Sequence, residues 1–420
     1  MRLTRKNMLL PSILVGLLGL SQVANAAISQ QFNQDAAGLG DSQAGSAASA
    51  LDASTEFYNP AGLLLMNEQQ VIFGDNLSMP SYKFSRTIQH GGTEVNGESD
   101  GGVFAQSPYL HYAAPISEKW AFGFGVSSPF AAHGDWSSDT QLHDINHRYY
   151  STNSDFSTYD ISTDLAYAIT KKLSVGAGFD FVRVIFSEND THTQNSDSYD
   201  TSLSGSQWDK GWHGGLMYQF TPATRVGLAY HSKVSYEASG TASTEADGAV
   251  LQSTNDFVLS STLPAYTTAS VYTELNSNWA VEGSVNYTQW SNADEVTYQN
   301  LPTDTEVVAQ ATTNYELQNT WRTSLGAHYT VSPEIMLRAG LGYETSPYKN
   351  DATNIYLAAP EGSTYDISAG LQYKYSHTLA FDFGWTHLFY VTQDIATSTT
   401  TGEFSGSNDI LGAQVRWDML

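Results

Sequence analysis

The sequence predicts an all-β fold: a fourteen-stranded antiparallel transmembrane β-barrel with a small N-terminal helical hatch plugging its lumen. Three observations predict it. Run after run alternates apolar with polar or small residues at period two. The number of such runs is even, as single-chain bacterial barrels require. An export signal is followed by no apolar stretch of about 18 residues, while aromatic residues make up 12% of the chain and charged residues only 15%, against about 25% charged in average globular domains.

Residues 1–26 read as a secretory signal peptide. Arg2, Arg5 and Lys6 form a positive n-region, Met8 to Leu20 an apolar h-region, and Ala24-Asn25-Ala26 a small-x-small cleavage site. The segment carries three basic residues and no acid, so its removal takes the formal charge from −25 to −28. That balance excludes nucleic acid as a partner, since its binding relies on Lys and Arg facing phosphate. There is no cysteine, so an exported chain must draw its stability from something other than disulfides.

Residues 27–68 come before the first strand and are expected to be the hatch, with residues 69–420 as the barrel. Gly38, Gly40, Ala44, Gly45, Ala47, Ala48 and Ala50 favour short, closely packed helical turns. Pro60 ends any helix and biases Asn59 toward extended or turn geometry, and Gly62 permits a positive φ. A fourteen-stranded lumen is too wide for wall side chains to fill. A plug of small residues ending in the Asn59-Pro60-Ala61 turn suits that space.

Strands are expected near 69–84, 104–116, 119–130, 156–170, 172–188, 205–220, 224–238, 257–275, 278–296, 312–331, 334–346, 363–375, 378–391 and 405–419. In one of them Trp279, Val281, Gly283, Val285 and Tyr287 share a face, and Glu282, Ser284, Asn286 and Thr288 the other. Aromatics recur near strand ends, as barrel girdles do. Short polar links ("ISEK", "TKK", "TPAT", "LNSN", "SPE", "SH") suit periplasmic turns. Long stretches around 85–103, 131–155, 189–204, 239–256, 297–311, 347–362 and 392–404 suit extracellular loops. In the last strand Leu411, Ala413, Val415, Trp417 and Met419 carry the apolar phase, with Leu420 one residue beyond it.

Three sets of residues are candidates for function. In the third strand Gly123, Gly125, Ser127, Ser128 and Pro129 can kink the wall, because Pro cannot donate to a ladder and Gly weakens one; Pro129 can equally just end the strand. Phe130, Trp136, Tyr149 and Tyr150 can line an apolar capture groove or belong to an interfacial girdle. A carboxylate ligand would want a cation, and Arg148, Arg183, Lys233, Arg322 and Arg338 are the candidates, with Arg148, in a loop, the least expected to be paired with an inward acid. Alternation places Lys233, Arg322 and Arg338 inward, where acids such as Glu282 and Glu344 could pair with them. The eleven histidines are scattered, without cysteine partners, so no metal, cofactor or catalytic residue is expected.

"GLGDSQAGSAASALDASTEFYNPAGL" (38–63) resembles the hatch of the FadL family, outer-membrane transporters of long-chain fatty acids and other hydrophobic compounds. Asn59, Pro60 and Ala61 fall on its Asn-Pro-Ala motif. "WAFGFGVSSPFAAHGDW" (120–136) is similar to the family's third strand, "LAYAITKKLSVGAGFDFV" (165–182) to the fourth and fifth, "VGLAYHSKVSYEASG" (226–240) to the seventh, and "NTWRTSLGAHYTVSPEIMLRAGLGYETSP" (319–347) to the tenth and eleventh. The resemblance implies passive uptake of long-chain fatty acids or similar hydrophobic molecules. It further implies that capture occurs among the extracellular loops, that the hatch amino terminus near Ile28 and Phe32 rearranges, and that the ligand leaves sideways through a lateral opening at the kinked third strand, at Gly123, Gly125, Ser127, Ser128 and Pro129. It also implies a monomer set among outer-membrane lipid and lipopolysaccharide. "LQNT" (317–320) and "APEGSTYD" (359–366) lack basic residues that the family often carries there, which brings forward a second reading, uptake of aromatic or alkane hydrocarbons. From other classes stand a lipid hydrolase and an adhesive structural barrel.

Overall fold

The period-two runs pair in sequence order into a closed antiparallel barrel of fourteen strands. The computed structural model describes residues 29–90, 93–135, 151–194, 197–315, 317–349, 362–396 and 400–419; the signal peptide and Ile28 lie outside the described residues. The strands are β1 (Gln69–His90), β2 (Thr93–Asp100 and Ala105–Ser117), β3 (Trp120–Ser127 and Phe130–Asp135), β4 (Ser151–Ala168), β5 (Leu173–Gln194), β6 (Asp197–Gln219) and β7 (Thr224–His231 and Val234–Ala246). They continue as β8 (Ala249–Leu263 and Tyr266–Glu274), β9 (Trp279–Thr288 and Glu295–Pro302), β10 (Val307–Asn314 and Thr320–Thr330), β11 (Ile335–Glu344), β12 (Thr364–Lys374), β13 (Leu379–Ala396) and β14 (Thr400–Met419). β14 closes on β1 from Gln69↔Met419 to Ile88↔Thr400. No edge is left at the closure, as the hydrocarbon core demands.

The two faces separate as alternation requires. On β9 Glu282, Ser284, Asn286 and Thr288 are buried, while Trp279 and Val285 are exposed on the outer face. Two aromatic belts frame the barrel. Trp120–Tyr167 and Trp279–Tyr329, each 4.6 Å between ring centres, sit beside the short turns. Tyr287–Trp321 at 4.6 Å and Tyr343–Tyr365 at 4.8 Å lie toward the other end. Trp279 and Tyr287 are separated by roughly 20 Å of height for a strand tilted about 40°, most of a ~25 Å apolar band. The short turns repeat one design: Ile169, Leu275, Val331 and Tyr375 each donate a backbone N–H to the carbonyl four residues on, at 2.8–2.9 Å.

The long connections differ from expectation. Much of 85–103, 189–204, 239–256, 297–311 and 392–404 continues the strands as tall hairpins, with β5 and β6 paired up to Gln194↔Asp197. Above the membrane the outer face of a hairpin meets water while the inner face is buried but carries polar residues such as Glu188, Asp190, Thr201 and Thr244, so both faces are polar and the alternation that marks a strand disappears. Residues 136–150 and 350–361 lie outside the described residues.

The chain ahead of β1 is packed inside the lumen. It forms α1 (Ala36–Leu39), α2 (Thr55–Tyr58) and a 3-10 turn (Pro60–Leu65). Asn59 is the hinge pin of this hatch. Its Oδ1 accepts from Ala61 N at 3.1 Å, and its Nδ2 donates to the carbonyls of Ala47 (2.6 Å) and of Leu216 on β6 (3.1 Å). Ser174 on β5 donates to the Ala61 carbonyl at 2.9 Å. The small residues bring backbone against wall: a Cβ at Gly40 would lie 2.7 Å from the Gly370 Cα of β12. Above the hatch the inward face turns apolar. Phe130, Val184, Phe186, Tyr236, Phe257 and Trp290 belong to one buried cluster spanning β3 to β9.

Candidate functional site

Among the described residues the wall is interrupted between β2 and β3, and another unpaired stretch separates His213↔His231 from Ser206↔Ser239 between β6 and β7. β2 and β3 pair from Ser117↔Trp120 up to Leu110↔Val126 and then part. Above that point Ala105–Tyr109 pair only with β1, and the next link between the two strands is a single bridge, Gly102↔Gly134. The cause lies in β3. Ser127 pairs with Asp160 and Ala131 with Ser157, so Ser128, Pro129 and Phe130 stand against Tyr159 and Thr158. Three residues against two is a bulge, which bends its strand. Pro129 cannot donate to a ladder, and Phe130 turns inward to meet Trp290 edge-on at 6.4 Å.

Other elements absorb the backbone groups that the bulge frees. Thr158 Oγ1 accepts from Phe130 N at 3.0 Å and donates to the Phe130 carbonyl at 2.7 Å, while Ser128 Oγ donates to the Thr158 carbonyl at 2.7 Å. From the hatch, Gln34 Oε1 accepts from Ser128 N at 2.8 Å, and Gln34 Nε2 donates to the Ser128 carbonyl at 3.0 Å. Ser29–Gln30 run antiparallel to Phe130 and Ala131, and Gln31 N donates to the Pro129 carbonyl at 2.8 Å. The amino terminus of the hatch therefore lies along the edge that β2 has left.

Behind this seam a cavity of about 110 Å³ is lined by Phe32, Asn33, Val103, Ala131, Trp290 and Tyr390 among others. That is slightly below the ~150 Å³ known to admit benzene in a dry apolar cavity. The cation on its lining is already engaged. Arg322 Nη1 lies 2.8 Å from Asp366 Oδ2, and Nη2 donates to Ser42 Oγ at 3.0 Å. Its guanidinium also lies 5.1 Å from the Phe32 ring centre, and Ser42 bonds in turn to Asp366. The group ties hatch to wall. Arg322→Ala is expected to cost roughly 3–5 kcal/mol by leaving Asp366 buried and unpaired, read as faster hydrogen exchange over residues 38–45. Unchanged exchange there would remove the tie.

The other sequence candidates are placed as follows. Gly123 and Gly125 sit in the paired part of β3, below the bulge, opposite Ala113 and His111. A Cβ at Gly125 would overlap the Glu56 carboxylate, so these glycines make room for the hatch. Ser127, Ser128 and Pro129 are at the interruption itself. Lys233 is exposed rather than inward: the break between the two halves of β7 at Ser232–Lys233 shifts the phase, so that His231 and Val234 are the buried neighbours. Arg338 pairs with Asp382 at 2.7 Å, so Asp366 and Asp382, rather than Glu282 and Glu344, neutralise the inward arginines. Trp136, Arg148, Tyr149 and Tyr150 lie outside the described residues.

Sequence reading missed the chain of contacts at the foot of the seam. Glu56 on α2 meets His111 Nδ1 on β2 and accepts from Ser162 Oγ at 2.8 Å, and His111 Nε2 lies 2.9 Å from the Gln34 carbonyl. Glu56, His111, Gln34 and Ser128 thus connect α2 to the bulge. Here the serine donates to a carboxylate rather than to an imidazole, which is not the order of a nucleophile–base pair. Nearby, burial and then the Asp52 carboxylate push the Asp35 carboxyl up to about 6.

The family model for outer membrane protein transport proteins (OMPP1/FadL/TodX) matches residues 17–418. Outer membrane protein P1 of Haemophilus influenzae is 28% identical over 412 residues, 87% of this chain and 86% of that protein. Among solved structures, a Pseudomonas aeruginosa FadL homologue aligns with a TM-score of 0.81 at 18% identity, covering 93% of this chain and 100% of that one. The Pseudomonas putida toluene transporter TodX aligns at 0.72 with 18% identity, covering 92% and 98%. At such identity the structural likeness speaks to the fold alone.

Proposed function

Because the chain belongs to the outer membrane protein transport protein family (OMPP1/FadL/TodX), we propose that it takes up neutral hydrophobic molecules passively and releases them sideways through the β2–β3 seam. The observation that carries this reading is the seam itself, open above Leu110↔Val126 with the hatch amino terminus laid along its edge. A ligand held in the apolar chamber over the hatch reaches that opening without passing the plug. The chain lies in the outer membrane, whose polysaccharide face is the polar barrier to be crossed. An alkyl chain of about sixteen methylenes entering water would forfeit about 13 kcal/mol. A sideways exit keeps the chain in apolar surroundings throughout.

The preference for a neutral ligand rests on charge. Arg322 is held by Asp366 and Ser42, and His133, also on the cavity lining, lies 3.3 Å from Asp155. Deletion is expected to cut cellular uptake of labelled toluene several-fold, with restoration on complementation. Uptake of both toluene and oleate unchanged would sink the transport reading. A loss confined to oleate would replace the neutral ligand with a fatty acid.

A further inference from the structure

One group of donors serves neither the seam nor the chamber. Asp41 follows α1 on the hatch, Glu282 comes from β9 and His328 from β10, its partner in the ladder. All three are buried, with 4%, 5% and 4% of their surface exposed. His328 Nε2 lies 2.9 Å from Asp41 Oδ2 and 2.6 Å from Glu282 Oε1, and only the Asp41 contact has hydrogen-bond geometry. Asp41 Oδ1 and both Glu282 oxygens have no hydrogen-bond partner among the described residues. Gly45 carries the hatch backbone over the site at a φ of 69°, where a side chain would run into Glu282.

Among the described residues the neighbouring arginines make no hydrogen bond to either carboxylate. Arg338 on β11 is bound to Asp382 at 2.7 Å. Arg225 on β7 gives its donors to the carbonyls of Ala48 and Ser49. Two buried carboxylates are left to one imidazole, and unpaired buried acceptors are costly.

We propose that Asp41, Glu282 and His328 form a binding site for a divalent transition-metal ion, zinc in the first instance, which fastens the hatch to the barrel wall. Two carboxylates and a neutral imidazole balance a doubly charged ion. One nitrogen with carboxylate oxygens suits zinc and its neighbours, whereas calcium and magnesium prefer oxygen alone. Three protein donors leave room for water. The lumen has a second convergent set, Asp180, His213 and His231. Its imidazoles stack in parallel at 4.8 Å and 9°, so their lone pairs run side by side. Both nitrogens of His213 are already engaged by Asp164 and Asp180 at 2.7 Å.

The test uses the whole protein in detergent, stripped with chelator and dialysed against zinc. Elemental analysis is expected to find one zinc per chain, and cobalt substitution to give visible d–d absorption. Glu282→Gln should weaken zinc binding by at least about 100-fold, the upper end of what loss of an outer hydrogen-bond partner costs, and abolish the cobalt bands. His231→Ala should keep both. Heat-modifiable gel mobility checks that each variant has formed its barrel. Should Glu282→Gln fail that check, Asp41→Asn, which lies outside the wall ladder, reads the same site. No retained zinc, or zinc lost with His231→Ala and kept with Glu282→Gln, overturns the assignment.

Discussion

Replacing Gly227 by valine is expected to unseat the hatch and open the barrel to ions. Gly227 lies on β7, paired with Met217 on one side and Ser270 on the other. A Cβ there would overlap the Ala47 carbonyl and approach the Asn59 side chain. Neither can move aside cheaply. The Ala47 carbonyl is held by Asn59 Nδ2 at 2.6 Å, and Asn59 is bound as well to Leu216 and Ala61. Ordinary overpacking costs about 1–3 kcal/mol, and backbone overlap exceeds it. Valine is a good strand residue, so the wall still forms while the plug cannot seat. In planar bilayers the variant should show at least a tenfold rise in ion conductance, whereas Ala269→Val, on the outward face of β8, should show none. Wild-type conductance with unchanged protease protection of residues 29–68 would refute the plug's role.

Deleting Pro129 is expected to cut hydrophobic uptake at least about tenfold. The deletion turns three residues against two into two against two. Ser127 keeps Asp160 and Ala131 keeps Ser157, so no side chain changes face, which a simple register slip would cause. β3 would then run straight along β4, and its upper half would swing back toward Ala105–Tyr109. Pro129→Ala retains the bulge and should transport within about twofold of the parent. A deletion variant that folds, by its heat-modifiable mobility, and still transports at the parent rate would dissociate the seam from uptake.

Most of the barrel was legible because the membrane enforces a contrast between faces. Trp279, Val285 and Trp321 face lipid while Glu282 and Arg322 face the lumen, and that contrast is written at period two. Where the contrast ends, legibility ends with it. The tall hairpins above the membrane are strands whose buried face, with Glu188, Asp190, Thr201 and Thr244, is polar like their wet one, so they read as loops. Lys233 was misplaced because alternation assumes an unbroken phase, and a break at Ser232 has no sequence mark. The Asn59-Pro60-Ala61 turn was legible through its own local chemistry. Gln34, Glu56, Thr158 and His111 were not. Their roles come from partners tens to a hundred residues away, and nothing local distinguishes them from ordinary polar residues. Likewise the Asp41, Glu282 and His328 donors come from three separate elements with no spacing to betray them.

The parted seam also leaves a strand margin whose backbone groups need partners. A sheet edge with free N–H and C=O groups is a template for a strand from any neighbouring molecule, and in a crowded bilayer such neighbours are close. Here the edge on the β3 side is matched by Ser29–Gln30 and Gln31 of the same chain, while the Gln30 side chain is anchored across the lumen by Thr288 Oγ1 at 2.7 Å. The amino terminus acts as an internal donor strand: the barrel carries an interrupted wall and pairs part of its margin from within.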